Sequence, residues 1–324
     1  MKFNSHLNHV VRKEMGTFDE CKRRLHMCER TISFDEVLFN GFKDSLVAED
    51  FMYYSDDGEL KRRLADLHGV NPENIFVGAG SDSVLNTIFD VFVSPGSDVL
   101  MPEAHFPMYD VYLQQNQGNK LTFKYEFNNY QLHLNTSVQN TNNLSLIILG
   151  NPNSPVGDVV SLDKLENLTT FGVPLVLDQA YGEFGKTEVP IEWINRGVIF
   201  VNSFSKSWGA AGCRVGYCIA NREIIGLMNK LKRMFEISNV SKKFALFLLN
   251  NKPMVDDYVN QIVYERELLK RRFNLVQYGN WIHVPQHKYS YLTDKWEVKQ
   301  DASLPHVFGS FLRITIFPGL NGQL

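Results

Sequence analysis

A lysine and an arginine share the segment SFSKSWGAAGCRVGY, which spans residues 203–217. Lys206 follows an apolar run that favours a strand, and Arg214 comes eight positions later. A lysine amine attacks a carbonyl only when part of it is neutral, and partial desolvation beside a second cation supplies that condition. Ser203, Ser205 and Arg214 could together bind a phosphate through hydroxyl donors and a guanidinium fork. Taken alone, a lysine in a serine-rich turn is more commonly structural or exposed, so a chemical role for Lys206 depends on the residues that accompany it.

An acidic candidate lies in VLDQAY, which covers residues 176–181. Asp178 follows an apolar run typical of a buried strand, and α/β sheets collect their ligand-binding groups at the carboxyl ends of their strands. A buried carboxylate needs a partner, which a ligand can supply. Tyr181 could donate its hydroxyl to the same ligand, and a core tyrosine with a satisfied hydroxyl is the alternative interpretation.

A turn-rich loop, NPNSPVG, occupies residues 151–157 after an apolar run. The position predicts that this loop also lies at the carboxyl end of a strand. Asn153 or Ser154 could therefore reach a ligand bound there. Simple turn chemistry is the alternative interpretation, because asparagine, proline, serine and glycine are the residues that turns prefer.

A glycine-containing turn, GAGSDS, occupies residues 78–83 between a predicted strand and a predicted helix. The backbone N–H groups of Ser81 and Asp82 would face an anion placed at the positive end of the helix dipole. The turn lacks the third glycine of a dinucleotide-binding fingerprint, which disfavours a dehydrogenase. It is weak evidence alone, and it gains weight from the serines and the arginine of the lysine segment.

The elements that position these residues alternate between helices and strands, which is typical of an α/β protein with a mostly parallel sheet. The pattern predicts helices over residues 59–68, 81–92, 222–235 and 255–275. It predicts strands over residues 75–77, 98–101, 121–125, 145–149, 174–177, 198–202, 215–220 and 311–317. Residues 1–50 are predicted to be helical, without a sheet pattern.

Composition excludes several other classes. The net charge of −3 leaves no excess of basic residues for a nucleic-acid backbone. The four cysteines, at 21, 28, 213 and 218, have no zinc-binding spacing, which predicts free thiols and no metal site. Residues 1–10 lack the apolar core of a signal peptide and no run reaches membrane-spanning length, so we expect a cytoplasmic protein without a membrane anchor.

The four motifs, GAGSDS, NPNSPVG, VLDQAY and SFSKSWGAAGCRVGY, occur in this order along the chain. Together they resemble the fold-type I aminotransferases of classes I and II, which use pyridoxal 5′-phosphate, and they are similar in particular to histidinol-phosphate aminotransferase-like proteins. The resemblance covers residues 53–220 and the FLRIT segment around Arg313. It implies a large domain with a mixed, mainly parallel sheet between helices, and a small α+β domain built from both chain ends.

The resemblance implies roles around the cofactor ring. Lys206 matches the lysine that holds the cofactor as a Schiff base and moves the proton at the substrate α-carbon. Asp178 matches the residue that keeps the ring nitrogen protonated, so that the ring withdraws electrons. Tyr181 matches the partner of the ring oxygen, for which Asn153 is a further candidate. Phe106, in HFPMY, matches the aromatic residue that stacks on the ring.

The resemblance also implies contacts to the ends of both ligands. The cofactor phosphate is expected to contact Gly80, Ser81, Asp82, Ser203, Ser205 and Arg214. Arg313 matches the arginine that binds the substrate α-carboxylate through a bidentate fork, with Asn153 and Tyr53 also contacting the substrate. Tyr53, in YYSDDGEL, matches a tyrosine lent by the other subunit, with Tyr54 as the alternative. We therefore expect a homodimer with shared active sites.

The predicted domains follow from the same resemblance. Residues 49–252 form the large domain that binds pyridoxal phosphate. Residues 1–48 contribute the first part of the small domain, and residues 253–324 contribute a linking helix and the rest of it. The stretch between residues 291 and 311 is shorter than the family pattern, so we expect a reduced small domain.

Two departures from the family pattern bear on function. The family commonly has NPNNPTG where this chain has NPNSPVG, so Ser154 replaces an asparagine and both Asn153 and Ser154 stay candidates for the ring oxygen. Histidinol-phosphate enzymes have an arginine for the substrate phosphate shortly before the LRIT strand. Here no arginine lies between Arg272 and Arg313, which disfavours histidinol phosphate as the substrate.

The sequence thus predicts an aminotransferase that exchanges an amino group between a small amino acid and a 2-oxo acid or a related carbonyl compound. A pyridoxal-phosphate-dependent decarboxylase of the threonine-phosphate type is the first alternative, because the residues that choose between the two reactions lie in the divergent ends of the chain. A non-catalytic relative that retained the fold is the second alternative.

Overall fold

The computed structural model describes residues 5–12, 19–128, 131–135, 142–273, 277–300 and 310–324. The strands are β1 (Arg23–Arg24), β2 (Ile75–Gly78), β3 (Asp98–Pro102), β4 (Asn119–Asn128), β5 (Gln131–Asn135), β6 (Leu144–Gly150), β7 (Leu175–Asp178), β8 (Val198–Ser203), β9 (Gly216–Ile219), β10 (Trp281–Pro285), β11 (Trp296–Glu297), β12 (Lys299–Gln300) and β13 (Phe311–Thr315). The α-helices are α1 (Glu36–Asp44), α2 (Glu49–Met52), α3 (Gly58–His68), α4 (Gly80–Phe92), α5 (Met108–Gln115), α6 (Leu162–Thr169), α7 (Arg222–Leu231), α8 (Asn239–Asn250), α9 (Lys252–Phe273) and α10 (Gln286–Tyr289). Over these ranges, none of the helices has both the length and the hydrophobicity needed to cross a bilayer.

A central sheet contains eight strands in the order β2-β9-β8-β7-β6-β3-β4-β5. The neighbours β8/β7, β7/β6, β6/β3 and β3/β4 are parallel, and β2/β9, β9/β8 and β4/β5 are antiparallel. Helices cover both faces of this sheet. The mixed, mainly parallel sheet between helices confirms the predicted α/β class.

The central strands are buried on both faces, which explains their continuous apolar sequences. Along β8, Val198 and Phe200 belong to the core that includes side chains of α3, α6 and α8. Ile199 and Val201 belong to the core that includes side chains of α4, α5 and α7, because successive side chains of a strand point to opposite faces. Burial of each such side chain contributes about 1.5–3 kcal/mol. The polar residues that end these strands are the exceptions, and they lie in the candidate site.

The predicted elements differ from the structure in several helices, in β5 and in the first part of the chain. α7 ends at Leu231 and not at residue 235, because Lys232 adopts an extended conformation with φ −61° and ψ 130°. The sequence pattern misses α5 and α6, since few periodic positions fit into helices of eight residues, and it also misses the longer α8. Residues 1–50 were predicted to be helical, but their described part includes β1 ahead of α1 and α2.

Both chain ends contribute to smaller sheets beside the central one. β1 pairs in parallel with β11, and β13 lies between β10 and β12 with antiparallel pairing. Leu25, next to β1, belongs to one apolar cluster with Ile282 of β10, Ile314 of β13 and Ile262 of α9. The domain boundaries at residues 48 and 252 stay predictions.

Candidate active site

The carboxyl ends of neighbouring parallel strands bring the predicted site residues together. Asp178 is the last residue of β7, Ser203 is the last residue of β8, and Asn151 directly follows β6. β7 pairs in parallel with both β6 and β8, so these three ends meet at one edge of the sheet. Open α/β sheets bind their ligands at this kind of edge.

Lys206 lies in the turn after β8, where its side chain is partly buried. Its Nζ donates a hydrogen bond to the backbone carbonyl of Met27 at 2.6 Å and lies 5.5 Å from the centre of the Tyr181 ring. Desolvation lowers the pKa of Lys206, and the positive charges of Arg313 and Arg214 also lower it. The amine therefore has the increased neutral fraction that attack on a carbonyl requires.

Asp178 is buried and accepts two hydrogen bonds from the protein. Its Oδ2 accepts from the hydroxyl of Tyr109 at 2.8 Å, and its Oδ1 accepts from the backbone N–H of Ala180 at 3.0 Å. Burial raises the pKa of Asp178, and the two donors act against that rise. A carboxylate held in this way can bind a protonated ring nitrogen, which is the predicted role.

Tyr109 is a site residue that the sequence analysis misses. It belongs to HFPMY, the segment in which only Phe106 received a role. α5 begins at Met108, directly after Pro107, and a proline at a helix start is the signal that could have revealed it. Phe106 is partly buried, and its ring meets that of Tyr109 edge-on at 5.8 Å between centroids.

Tyr181 follows β7 and packs against a tryptophan from the end of the chain. Its ring meets that of Trp281 at 4.7 Å between centroids with an interplanar angle of 71°. Trp281 donates its indole N–H to the carbonyl of Pro155 at 3.1 Å, which ties β10 to the loop after β6. Burial raises the pKa of the Tyr181 hydroxyl, so this group is neutral and can donate a hydrogen bond. Sequence reasoning gave Trp281 no role.

Arg214 packs directly over the turn that begins α4. Gly80 has a φ of +82°, and a Cβ built on it would lie 2.5 Å from Nη2 of Arg214. Glycine alone adopts this conformation readily and leaves room for the guanidinium. Nη1 of Arg214 donates to Oγ of Ser205 at 3.3 Å, and Oγ of Ser203 accepts from the backbone N–H of Ser205 at 3.1 Å. These four predicted residues form one cationic, hydroxyl-rich cradle.

Ser81 and Asp82 lie in the first turn of α4, beside this cradle. Gly216 of β9 approaches the turn so closely that a Cβ on it would lie 2.1 Å from the backbone nitrogen of Ser81. The first N–H groups of a helix lack intrahelical acceptors and attract anions. The carboxylate of Asp82 accepts a hydrogen bond from the hydroxyl of Tyr112 on α5. The predicted phosphate residues are therefore assembled at one helix start.

Asn153 and Ser154 have different partners. The amide nitrogen of Asn153 donates to the carbonyl of Ala104 at 2.8 Å and to the hydroxyl of Tyr125 at 2.7 Å. This donor ties the loop after β6 to the loop after β3, and contact with a ring oxygen would require the amide to exchange partners. Oγ of Ser154 accepts from Nη1 of Arg313 at 3.1 Å and so lies at the predicted substrate arginine.

Arg313 is buried on β13, where it lies opposite His283 of β10. Its guanidinium carbon is 5.6 Å from the centre of the Trp281 ring. The planar fork of a guanidinium matches the two oxygens of a carboxylate, and partial desolvation strengthens that pairing. Arg313 therefore has the surroundings expected of a carboxylate-binding residue near Lys206.

Tyr53 and Tyr54 lie on the surface, with 63% and 82% of their area exposed. The ring of Tyr54 stacks on that of Phe235 at 4.4 Å between centroids. Within the described residues, no hydrogen bond or ring contact joins Tyr53 to the other predicted site residues. A single chain thus brings together the other predicted residues and leaves Tyr53 outside.

These residues fit pyridoxal 5′-phosphate. The glycine at position 80 keeps open a cradle that a Cβ would fill, and the cradle presents the hydroxyl and guanidinium donors that a phosphate requires. The buried carboxylate of Asp178 can accept a hydrogen bond from a ring N–H, and the Lys206 amine, whose pKa is lowered, can react with an aldehyde. The arrangement can therefore hold a charged aromatic aldehyde next to a carboxylate-binding arginine.

Comparisons with known proteins identify the family. The model of the family "Aminotransferase class I and II" matches residues 48–320. The histidinol-phosphate aminotransferase of Caldanaerobacter subterraneus subsp. tengcongensis is 33% identical over 248 residues, which cover 75% of this chain and 69% of that protein.

Solved structures show the same fold. The histidinol-phosphate aminotransferase of Sinorhizobium meliloti, solved in complex with pyridoxal 5′-phosphate, superposes with a TM-score of 0.77 at 21% identity, over 93% of this chain and 88% of that one. The L-threonine-O-3-phosphate decarboxylase of Porphyromonas gingivalis superposes with a TM-score of 0.73 at 20% identity, over 90% of this chain and 96% of that one. At such identities the likeness concerns the fold.

Proposed function

Because this chain belongs to the class I and II aminotransferase family and is a pyridoxal-phosphate-dependent aminotransferase, we propose that the sheet edge around Lys206 is its active site. One observation carries the proposal: an amine of lowered pKa, a buried carboxylate and an anion cradle converge at the carboxyl ends of adjacent parallel strands. When bound, pyridoxal 5′-phosphate supplies a ring that withdraws electrons from the substrate α-carbon.

The cofactor is held at five points in this proposal. Arg214 and Ser205 bind the phosphate, together with Gly80, Ser81, Asp82 and Ser203 of the same cradle. Asp178 holds the proton at the ring nitrogen, and its two protein donors support an ionised state. Lys206 Nζ would hold the cofactor through its aldehyde group, and in the structure this amine donates to the Met27 carbonyl. Tyr181 donates to the ring oxygen, and Phe106 packs on the ring.

The substrate is held and activated by the same edge. Arg313 binds the α-carboxylate, and Ser154 keeps the guanidinium in place through its 3.1 Å hydrogen bond. Lys206 Nζ would serve as the base that takes the proton from the substrate α-carbon and as the acid that gives it back during amino-group transfer. Desolvation of this amine supports the role, since a neutral amine is needed at the start of each transfer.

We assign the substrates as a small amino acid and a 2-oxo acid or related carbonyl compound. Histidinol phosphate is the second candidate, and the names of the sequence relatives favour it. The sequence has no arginine between Arg272 and Arg313, where a phosphate-binding arginine would be expected, and this disfavours histidinol phosphate as the substrate. The decarboxylase alternative has only the likeness of fold in its support.

A homodimer with shared sites completes the proposal. Tyr53 lies outside the site of its own chain. The exposed apolar side chains near it form one patch, because the stacked rings of Tyr54 and Phe235 join the two segments Phe51, Met52, Tyr53, Tyr54 and Met234, Phe235. A patch of this kind on a protein surface marks an interface. We propose that a second copy of the chain binds this patch and that Tyr53 then contacts the partner's active site, with Tyr54 as the alternative.

The domain boundaries and the cellular compartment of the protein are also part of this proposal. Residues 49–252 form the cofactor domain, and residues 1–48 and 253–324 form the small domain that carries Arg313. All four cysteines are free thiols, which supports a reducing, cytoplasmic compartment.

Absorbance spectra of the purified protein test the proposal. Added pyridoxal 5′-phosphate should produce a visible band of lysine-bound cofactor. The correct amino donor should remove this band and a 2-oxo acid should restore it, so a panel of amino acids and histidinol phosphate names the donor. Release of carbon dioxide without loss of the amino group would favour the decarboxylase. No band under any condition would remove Lys206 from its role.

A further inference from the structure

Two tyrosines of α5 reach the two carboxylates of the site. Tyr109 Oη donates to Asp178 Oδ2 at 2.8 Å, and Tyr112, one turn later, donates to the carboxylate of Asp82. Helix α5 thus provides a hydrogen-bond donor to each of the two carboxylates. Of the two carboxylates, Asp178 is the one assigned to the reacting ring.

We propose that Tyr109 is a positioning residue for transamination: its hydroxyl orients the Asp178 carboxylate toward the cofactor ring nitrogen and stabilises its charged form. The inference deepens the proposed function and rests on the role assigned there to Asp178. The backbone N–H of Ala180 restrains Oδ1 and Tyr109 restrains Oδ2, so both oxygens have a defined direction. The remaining lone pairs are available to a ring N–H.

The Tyr109 hydroxyl is a permanent donor. Tyr109 is 1% exposed, and burial beside a carboxylate raises its pKa, so it stays protonated wherever Asp178 is ionised. A hydrogen bond to a charged group is stronger than one between neutral groups. Because the donor favours the charged form of Asp178, it opposes the effect of burial, which favours the neutral form.

The packing of Tyr109 leaves its ring little freedom. It stacks on His105 at 5.8 Å with parallel planes and meets Phe106 edge-on. His105 is itself held between the carbonyl of Pro102, at 2.7 Å, and the carboxylate of Asp110, at 3.2 Å. The residue assigned to ring stacking therefore touches the residue assigned to orient Asp178.

Other titratable groups face Asp178 and must be separated from Tyr109 in any test. Asp82 at the start of α4 raises the pKa of Asp178, and Lys206 after β8 lowers it. Tyr181, after β7, is the third such group. His105 lies directly behind Tyr109, with the two rings parallel. A background without the Asp178 carboxylate distinguishes its titration from all of these.

The test compares Tyr109→Phe with Tyr217→Phe. Tyr217 is equally buried, and its hydroxyl contacts His68 Nε2 at 2.8 Å, so the control removes a hydroxyl without touching Asp178. Cofactor affinity is measured by absorbance titration across acidic pH, and kcat is measured in parallel. Both measurements are repeated in an Asp178→Asn background.

In Tyr109→Phe we expect the acid limb of cofactor affinity and of kcat to move up by about one to two pH units, the size of a hydrogen bond to a charged group. Tyr217→Phe should leave both limbs in place. In the Asp178→Asn background, Tyr109→Phe should have no further effect on either limb. This non-additivity is the signature of action through Asp178, which loss of packing would not produce.

The possible failures differ from one another. An unmoved acid limb in Tyr109→Phe, with Asp178→Asn impaired, overturns the inference and leaves the role of Asp178 intact. If Asp178→Asn changes neither spectrum nor turnover, the assignment of Asp178 itself fails. If Tyr109→Phe does not fold, the double variant decides: recovery of folding assigns the cost to the unpaired carboxylate, and continued failure assigns it to ring packing and overturns the inference.

Discussion

Gly80→Ala tests the phosphate cradle through the smallest possible addition to the protein. The new methyl group would lie 2.5 Å from Nη2 and 3.0 Å from Cζ of Arg214, which is closer than real Cβ contacts allow. The guanidinium must therefore move away from the start of α4. Its hydrogen bond to Ser205, already 3.3 Å long, would be lost with it.

The expected magnitude has two separate parts. An L-residue at a φ of +82° costs about 1–2 kcal/mol of folding free energy wherever it occurs. A displaced Arg214 loses a hydrogen bond to the charged phosphate, which is worth about 1.5–3 kcal/mol. Only the second part affects binding, so we expect the dissociation constant of pyridoxal 5′-phosphate to rise roughly ten- to hundredfold.

Gly96→Ala is the matched control. Gly96 also has a φ of +82°, but nothing lies within 4 Å of a Cβ placed there. Urea denaturation should show that both variants lose stability, with Gly80→Ala losing at least as much as the control. Absorbance titration should show weakened cofactor binding in Gly80→Ala alone. Equal affinities in the two variants would refute the view that Gly80 and Arg214 form the phosphate cradle.

Three further outcomes follow from the same geometry. Lys206→Ala should abolish the visible band of bound cofactor together with turnover, because the amine that holds the cofactor and moves the proton is gone; sustained turnover would contradict the assignment. Arg313→Ala should raise KM for amino acids roughly ten- to hundredfold, the equivalent of about 1.5–3 kcal/mol for a hydrogen-bonded charge, and an unchanged KM would mean that the carboxylate binds elsewhere. Desolvation lowers the pKa of His68 from 6.5 to about 4, so below pH 6.5 the unfolded chain binds a proton that the folded chain excludes. The free energy of unfolding should then fall by up to about 1.4 kcal/mol per pH unit on acidification. His68→Gln should reduce this pH dependence, as measured by urea denaturation at neutral pH and at about pH 5. An equal pH dependence in the variant and the unmodified protein would contradict a buried neutral imidazole at His68.

Local patterns were sufficient to predict every strand of the central sheet except β5, and to nominate most residues of the candidate site. A strand covered on both faces needs a continuous apolar run. The bounds of β6, β7 and β8 could therefore be predicted from such runs to within a few residues. The polar residues that follow such runs must lie at the sheet edge, which is why Asp178 and Lys206 were identifiable. The glycine and the serine at the start of α4 likewise indicated an anion site from local geometry alone.

The tertiary structure decided which groups contact each other. Tyr109 meets Asp178 across 69 residues of sequence, Arg313 meets Ser154 across 159, and Lys206 meets the Met27 carbonyl across 179. Such contacts depend on how helices and the chain ends pack on the sheet, and a short helix such as α5 shows too little periodicity to reveal even its own presence. The sequence by itself therefore determined which chemical groups stand at the edge of the sheet, because strand ends are local features. Only the packing of distant segments determined the hydrogen bonds and charges that tune those groups.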